Sequence, residues 1–238
     1  MPLAARLSVA LCLLGTYASA QVTSLQSKSS GGQAGNAQSL GPAITPDARY
    51  VAFASDASNL VTGDTNGLRD VFVRGTQTGQ VELVSRGPGG VLGNGDSGTS
   101  AISGGHVALS DDGRYVAFVS KATNLVAGDT NAKADVFLHD RLAGVTVRVS
   151  VPPGGGQANA HSMVLGGQQW MSADGRWIVF ESSADNLLGT APGVSHVYRW
   201  DRLNGALQGV SASAAGIPGN ANSFSPSVSA DGNFVAFD

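Results

Sequence analysis

The stretch Ser110 to Asp140, SDDGRYVAFVSKATNLVAGDTNAKADVFLHD, decides the fold, because most of the chain is made of further copies of it. Residues 46–74, PDARYVAFASDASNLVTGDTNGLRDVFVR, repeat it nearly position for position. A third version, ADGRWIVFESSADNLLGTAPGVSHVYRWD, runs from Ala173 to Asp201, and a fourth, ADGNFVAFD, begins at Ala230. Phe53, Phe118, Phe180 and Phe237 recur at spacings of 65, 62 and 57 residues, so each unit is a whole supersecondary element joined by loops of variable length. A second set of anchors is tighter: Ser27, Ser85, Ser150 and Ser211 precede Asn36, Asn94, Asn159 and Asn220 by nine residues, and a serine follows each asparagine by three.

Within a unit, punctuation places the strands. The run RYVAFVS, Arg114 to Ser120, is apolar on both alternating faces: Val116 and Phe118 on one, Tyr115, Ala117 and Val119 on the other. Both faces therefore need cover, which an antiparallel sheet open to water does not provide. The turn Asp112-Gly113 starts this strand, as do Asp174-Gly175 and Asp231-Gly232; glycine there tolerates positive φ. The first copy has Asp47-Ala48, which predicts a turn type that accepts alanine. Further strands are expected at Asp135 to His139, at Val145 to Ser150 and just ahead of each Asp-Gly turn, with equivalents in the other units.

Four short antiparallel strands per unit with both faces apolar describe one blade of a β-propeller. The expected fold class is all-β: a propeller of four-stranded blades, three complete (40–85, 98–150 and 163–211) and part of a fourth, read as incomplete at the C-terminus. Val22 to Ser39 aligns without a gap on Val145 to Ser162, so an outermost strand is expected at the start of the mature chain.

Residues 1–20 have one charge at Arg6, an apolar run from Leu7 to Leu14 and small residues up to Ala20, the layout of a secretory signal peptide. The only cysteine, Cys12, lies within it, which leaves the mature chain without a disulfide or a thiol nucleophile. Removing the leader takes away Arg6 alone and leaves 13 basic against 17 acidic residues. With no basic block, a nucleic-acid partner is excluded, since displacing counterions needs clustered positive charge. No later apolar stretch reaches the ~20 residues of a membrane helix.

The pattern S-x-D-G-R-Y-V-A-F, followed some twenty residues on by D-V-F-V and a turn ending in glycine, resembles the TolB-type propeller repeat, a relative of the WD-type repeat. The resemblance covers most of residues 22–238 and implies a blade fold and export; relatives of this repeat type include periplasmic interaction proteins and propellers attached to peptidases.

Strand alternation sorts the loops onto two rims. The short turns at Asp112-Gly113 and Gly144 share one; the GNAxS connections and the AxNLVxGDTN loops share the other, which is longer, more polar and the place to look for ligands. Candidate ligand or partner residues on that rim are Asn36, Asp96, Asn159, His161, Asn220 and Asn222. Asp64, Asn66 and Asp70, and equally Asp129, Asn131 and Asp135, place oxygen ligands at positions one, three and seven of a loop, as in a calcium site. The competing account has the same side chains bonding backbone amides to hold their own loops. The histidines fall at different repeat positions, and there is no G-x-S-x-G nucleophile elbow.

The function expected is therefore an exported, non-catalytic propeller scaffold in the periplasm or outside the cell, meeting a protein partner of the cell envelope or a small ligand. The alternatives are an enzyme or carbohydrate-acting propeller whose catalytic groups lie in further blades, and a calcium-stabilised surface protein.

Overall fold

The computed structural model describes residues 24–98, 107–165, 169–190 and 192–238; the leader at 1–20 and most of the insertion Gly98 to Leu109 lie outside them. Strands β1 (Ser39–Ile44), β2 (Tyr50–Ser55), β3 (Asp70–Gly75) and β4 (Val81–Leu83) form one antiparallel sheet in chain order. β5 (Val107–Leu109), β6 (Tyr115–Ser120), β7 (Asp135–Asp140) and β8 (Val145–Arg148) form the second. β9 (Ser162–Met163), β10 (Trp177–Ser182), β11 (His196–Asp201) and β12 (Leu207–Gly209) form the third, and β13 (Ser227–Val228) pairs with β14 (Val235–Ala236) to begin a fourth. These sheets are propeller blades. Among the described residues, no helix is long and apolar enough to cross a membrane.

The two-faced reading of β6 holds. Val116 and Phe118 pack toward the first blade with Ala52, Val71 and Val73, while Tyr115, Ala117 and Val119 pack toward the third with Met171, Ile178 and Phe180. The recurrent phenylalanine of each unit stacks on an aromatic of the next strand: Phe53 on Phe72, Phe118 on Phe137 and Phe180 on Tyr198, at centroid distances of 5.9, 5.9 and 5.5 Å. Each such pair contributes about 0.5–1.5 kcal/mol beyond its area, which explains the anchor's recurrence.

The outermost strands are shorter than expected, β4 ending at Leu83 and β8 at Arg148, because a serine side chain takes over from the ladder. Ser85 Oγ accepts the Val71 N–H at 3.0 Å, Ser150 the Val136 N–H at 3.1 Å and Ser211 the Val197 N–H at 3.0 Å. At the start of the chain, residues 24–27 form no strand, having no ladder partner among the described residues. The segment that follows keeps the connection geometry of the other blades: the bridge Lys28 to Ala34 matches Arg86 to Leu92 and Ala212 to Pro218.

The short turns are built identically. Ser110 donates its hydroxyl to Asp112 and accepts the Tyr115 N–H, and Ser172 and Ser229 do the same in their units. The first unit departs from the expected change of turn type: Thr45 bonds Asp47 in the same way, and Ala48 simply takes the left-handed conformation, φ 57°. The local side-chain bonds outweigh the strain on alanine. Ala48→Gly is therefore expected to raise stability by about 1 kcal/mol; an unchanged urea midpoint would contradict this.

These turns also fasten neighbouring blades. Gly113 lies against the ring of Tyr50, Gly175 against Tyr115 and Gly232 against Trp177, each aromatic belonging to the preceding blade. An arginine joins each contact, touching both the ring and the glycine. Arg141 stacks on Tyr50 and bonds the Gly113 carbonyl, Arg202 does so with Tyr115 and Gly175, and Arg199 with Trp177 and Gly232.

Candidate functional site

On the opposite, loop-rich rim, the GNAxS asparagines tie blade to blade. Asn36 takes the Ser58 N–H on its side-chain oxygen and donates its amide to Ser58 Oγ, while its own N–H is capped by Asn59. Asn94 makes the same set with Thr123 and Asn124. Asn159 bonds Asp185 and is capped by Asn186. The capping asparagine belongs to the A-x-N-L segment of the following unit, 23 to 30 residues on, and its amide reaches back to the carbonyl of Ala34, Leu92 or Gln157. Asn220 is exposed and has no such partner among the described residues.

The variable position two residues after the asparagine has one shared duty in three of the four connections. Asp96 accepts the Arg69 N–H at 3.2 Å, His161 the Ala134 N–H at 2.8 Å and Asn222 the Ser195 N–H at 2.8 Å, each at the entry to the third strand of a blade. All three remain exposed on their outer side. A donor on Nδ1 of His161 assigns its proton to Nε2, which faces solvent. Partial burial and the nearby Lys133 and Lys121 lower its pKa, so the ring stays neutral at pH 7.

In the acidic loops the structure brings Asn66 to Asp70 (2.8 Å) and Asn131 to Asp135 (3.2 Å), and each asparagine also caps the backbone two residues on. Ser85 and Ser150 donate hydroxyls to Asp70 and Asp135 at 2.5 Å. Asp64, Asp70, Asp129 and Asp135 are all buried, and burial raises the pKa of each; that of Asp70 reaches about 6 in spite of the Ser85 and Asn66 bonds. The positive charge facing each pair is an arginine. Arg148 sits 3.2 Å from Asp129 and 3.8 Å from Asp135, with all three side chains buried, and Arg86 exerts the same pull on Asp64 and Asp70. Among the described residues, no group of three or more His, Cys, Asp or Glu side chains could hold a metal ion.

The third blade rebuilds this place with different chemistry. β-Ladder register sets Gly209 where the second blade has Arg148, and His196 where it has Asp135. The phenylalanine that becomes Phe72 and Phe137 elsewhere is Tyr198. At this place the third blade has a cleft of about 690 Å³, lined by Leu188, Thr190, His196, Tyr198, Gly209 and Ser211 among others. Tyr198, Thr190, His196 and Gly209 are not among the candidate residues that the repeats single out. The signal present was a run of departures from the repeat, blurred by the shorter loop of the third unit.

No protein-family model and no curated protein matches the chain. Solved structures of similar fold include TolB from Acinetobacter baumannii, at 19% identity and a TM-score of 0.47 over 84% of this chain and 37% of that one. A TolB from Agrobacterium tumefaciens gives 16% and 0.49 over 84% of this chain and 53% of the other; AtxE2 isopeptidase gives 12% and 0.42 over 75% and 31%. The chain thus spans about a third to a half of the length of these proteins. All three lie below 20% identity and below a TM-score of 0.5, and the likeness is one of fold alone.

Proposed function

We propose that the chain is an exported, non-catalytic β-propeller scaffold that receives a protein partner of the cell envelope, or a small ligand, on its loop-rich rim. The observation that carries this is repetition of role. Asparagine ties, strand-entry caps and acid-serine pairs recur in successive blades with the same partners, whereas catalysis needs one asymmetric constellation of groups. In this proposal Asn36 and Asn159 hold the rim, and Asp96, His161, Asn222 and Asn220 present a different outward group at each connection. The loops of Asp64, Asn66 and Asp70 and of Asp129, Asn131 and Asp135 are held by arginine in place of calcium, so millimolar calcium leaves the melting temperature unchanged.

The test combines location with footprint. Chain recovered from the periplasm or medium should begin at Gln21, and a captured envelope partner should slow hydrogen exchange at 57–69, 122–134 and 183–190 while leaving 111–114 and 141–144 unaffected. Retention of Met1 would overturn the export reading, and protection confined to the short turns would overturn the choice of rim.

A further inference from the structure

Several of the groups that line the third-blade cleft have nothing to bond. His196 Nε2 is buried without a hydrogen-bond partner among the described residues; Thr190 Oγ1 and the Tyr198 hydroxyl lie close enough for Thr190 to ease ionisation of the phenol but do not form a well-aligned bond, and all three residues line the cleft. His196 and Tyr198 are at most 2% exposed. Leaving His196 Nε2 unsatisfied would alone cost about 1–3 kcal/mol, and the Thr190–Tyr198 pair keeps unused donor and acceptor capacity, so something with matching groups belongs there.

The proton positions follow from the neighbouring blades. Ser85 and Ser150 accept a backbone N–H and give their own proton to an aspartate. Ser211 accepts the Val197 N–H, so its proton goes to His196 Nδ1, 3.2 Å away. That leaves the His196 proton on Nε2, as a buried donor beside the cleft. Thr190 and Tyr198 hydroxyls both donate and accept. Burial lowers the pKa of His196, its only named cause, and burial raises that of Tyr198, so both are uncharged at neutral pH.

One donor and two donor-acceptors, all neutral, match a hydroxyl, which both donates and accepts, better than an anion, which would leave the acceptor side of each hydroxyl unused, or a cation, which only donates. Asp185, close enough to disfavour the ionised phenol, disfavours an anion further. Arg199 also lines the cleft; its terminal nitrogens are engaged by the Gly232 carbonyl and Gln208 and its face by the Trp177 ring, while its Nε is a further buried donor without a partner, which makes the anion probes below the necessary control. Leu188 and Leu207 supply apolar wall, and the volume lies within the ~300–1,000 Å³ of ordinary ligand pockets.

We propose that the third blade carries a binding site for a small neutral polyol, a mono- or disaccharide, whose hydroxyls bond Thr190, His196 and Tyr198. The site adjoins the 183–190 stretch of the rim proposed above, but its test by sugar titration does not depend on that reading.

The chain contains its own control substitutions. Tyr198→Phe restores the residue of the other two blades, and Gly209→Leu restores Leu83 of the first, filling the cleft where a Cβ would meet only Leu188 at 3.3 Å. Calorimetric titration of the whole chain with glucose, galactose, N-acetylglucosamine and maltose, and with inorganic phosphate and acetate as anion probes, is the measurement. At least one sugar should bind with a Kd below about 10 mM, Tyr198→Phe should weaken it about three- to tenfold, the worth of one hydrogen bond, and Gly209→Leu should abolish it. Thermal unfolding of both variants reports their folding independently. Absence of binding by every sugar, preference for an anion, or sugar binding indifferent to Tyr198→Phe would each overturn the proposal.

Discussion

Replacing Arg148 by alanine will lower the stability of the chain by about 3–5 kcal/mol at neutral pH, the loss found when one member of a buried ion pair is removed. The guanidinium is the positive charge facing Asp129 and Asp135, and all three side chains lie out of water. Burial already raises the pKa of both carboxyls with the arginine in place. A carboxyl whose folded pKa stands above its unfolded value contributes stability below the unfolded pKa and loses it as pH rises through the folded one. Without Arg148 both folded values climb further, so the deficit will be largest at neutral pH and will shrink as the carboxyls take up protons in acid. Urea unfolding of both proteins at pH 7 and in mild acid measures this; a deficit that does not change with pH would show that Arg148 acts by packing alone.

The second large effect is expected at the other rim. Gly175 has φ 66° and lies where an added Cβ would stand 2.6 Å from the Tyr115 ring. Gly144 has nearly the same φ, 67°, but faces open space. Gly144→Ala should therefore cost about 1 kcal/mol, the strain of left-handed alanine, whereas Gly175→Ala adds about 1–3 kcal/mol of overpacking and separates the second blade from the third. Equal losses at the two positions, read from denaturant midpoints, would show that the aromatic contact carries no weight.

Residues 110–140 disclosed the blade because its signals are local: Asp-Gly turns, two-faced apolar strands and a recurrent phenylalanine all fall within one repeat. What stayed hidden depends on partners in different repeats. Asn94 and Asn124 each stand out by recurrence, yet nothing in sequence shows that they bond each other across 30 residues. Arg148 and Arg86 do the same work from non-equivalent positions, so no alignment of units pairs them. The third-blade cleft arises from departures at Thr190, His196, Tyr198 and Gly209, which look like drift until ladder register gathers them around one space.

The glycine-aromatic-arginine contacts on one rim and the asparagine ties on the other each join a blade only to the next along the chain. Repeat arrays coupled only to nearest neighbours propagate structure one unit at a time. A chain delivered end first through a narrow channel would therefore find, as each unit emerged, a finished template waiting with both rims ready, and would require no distant segment before it set.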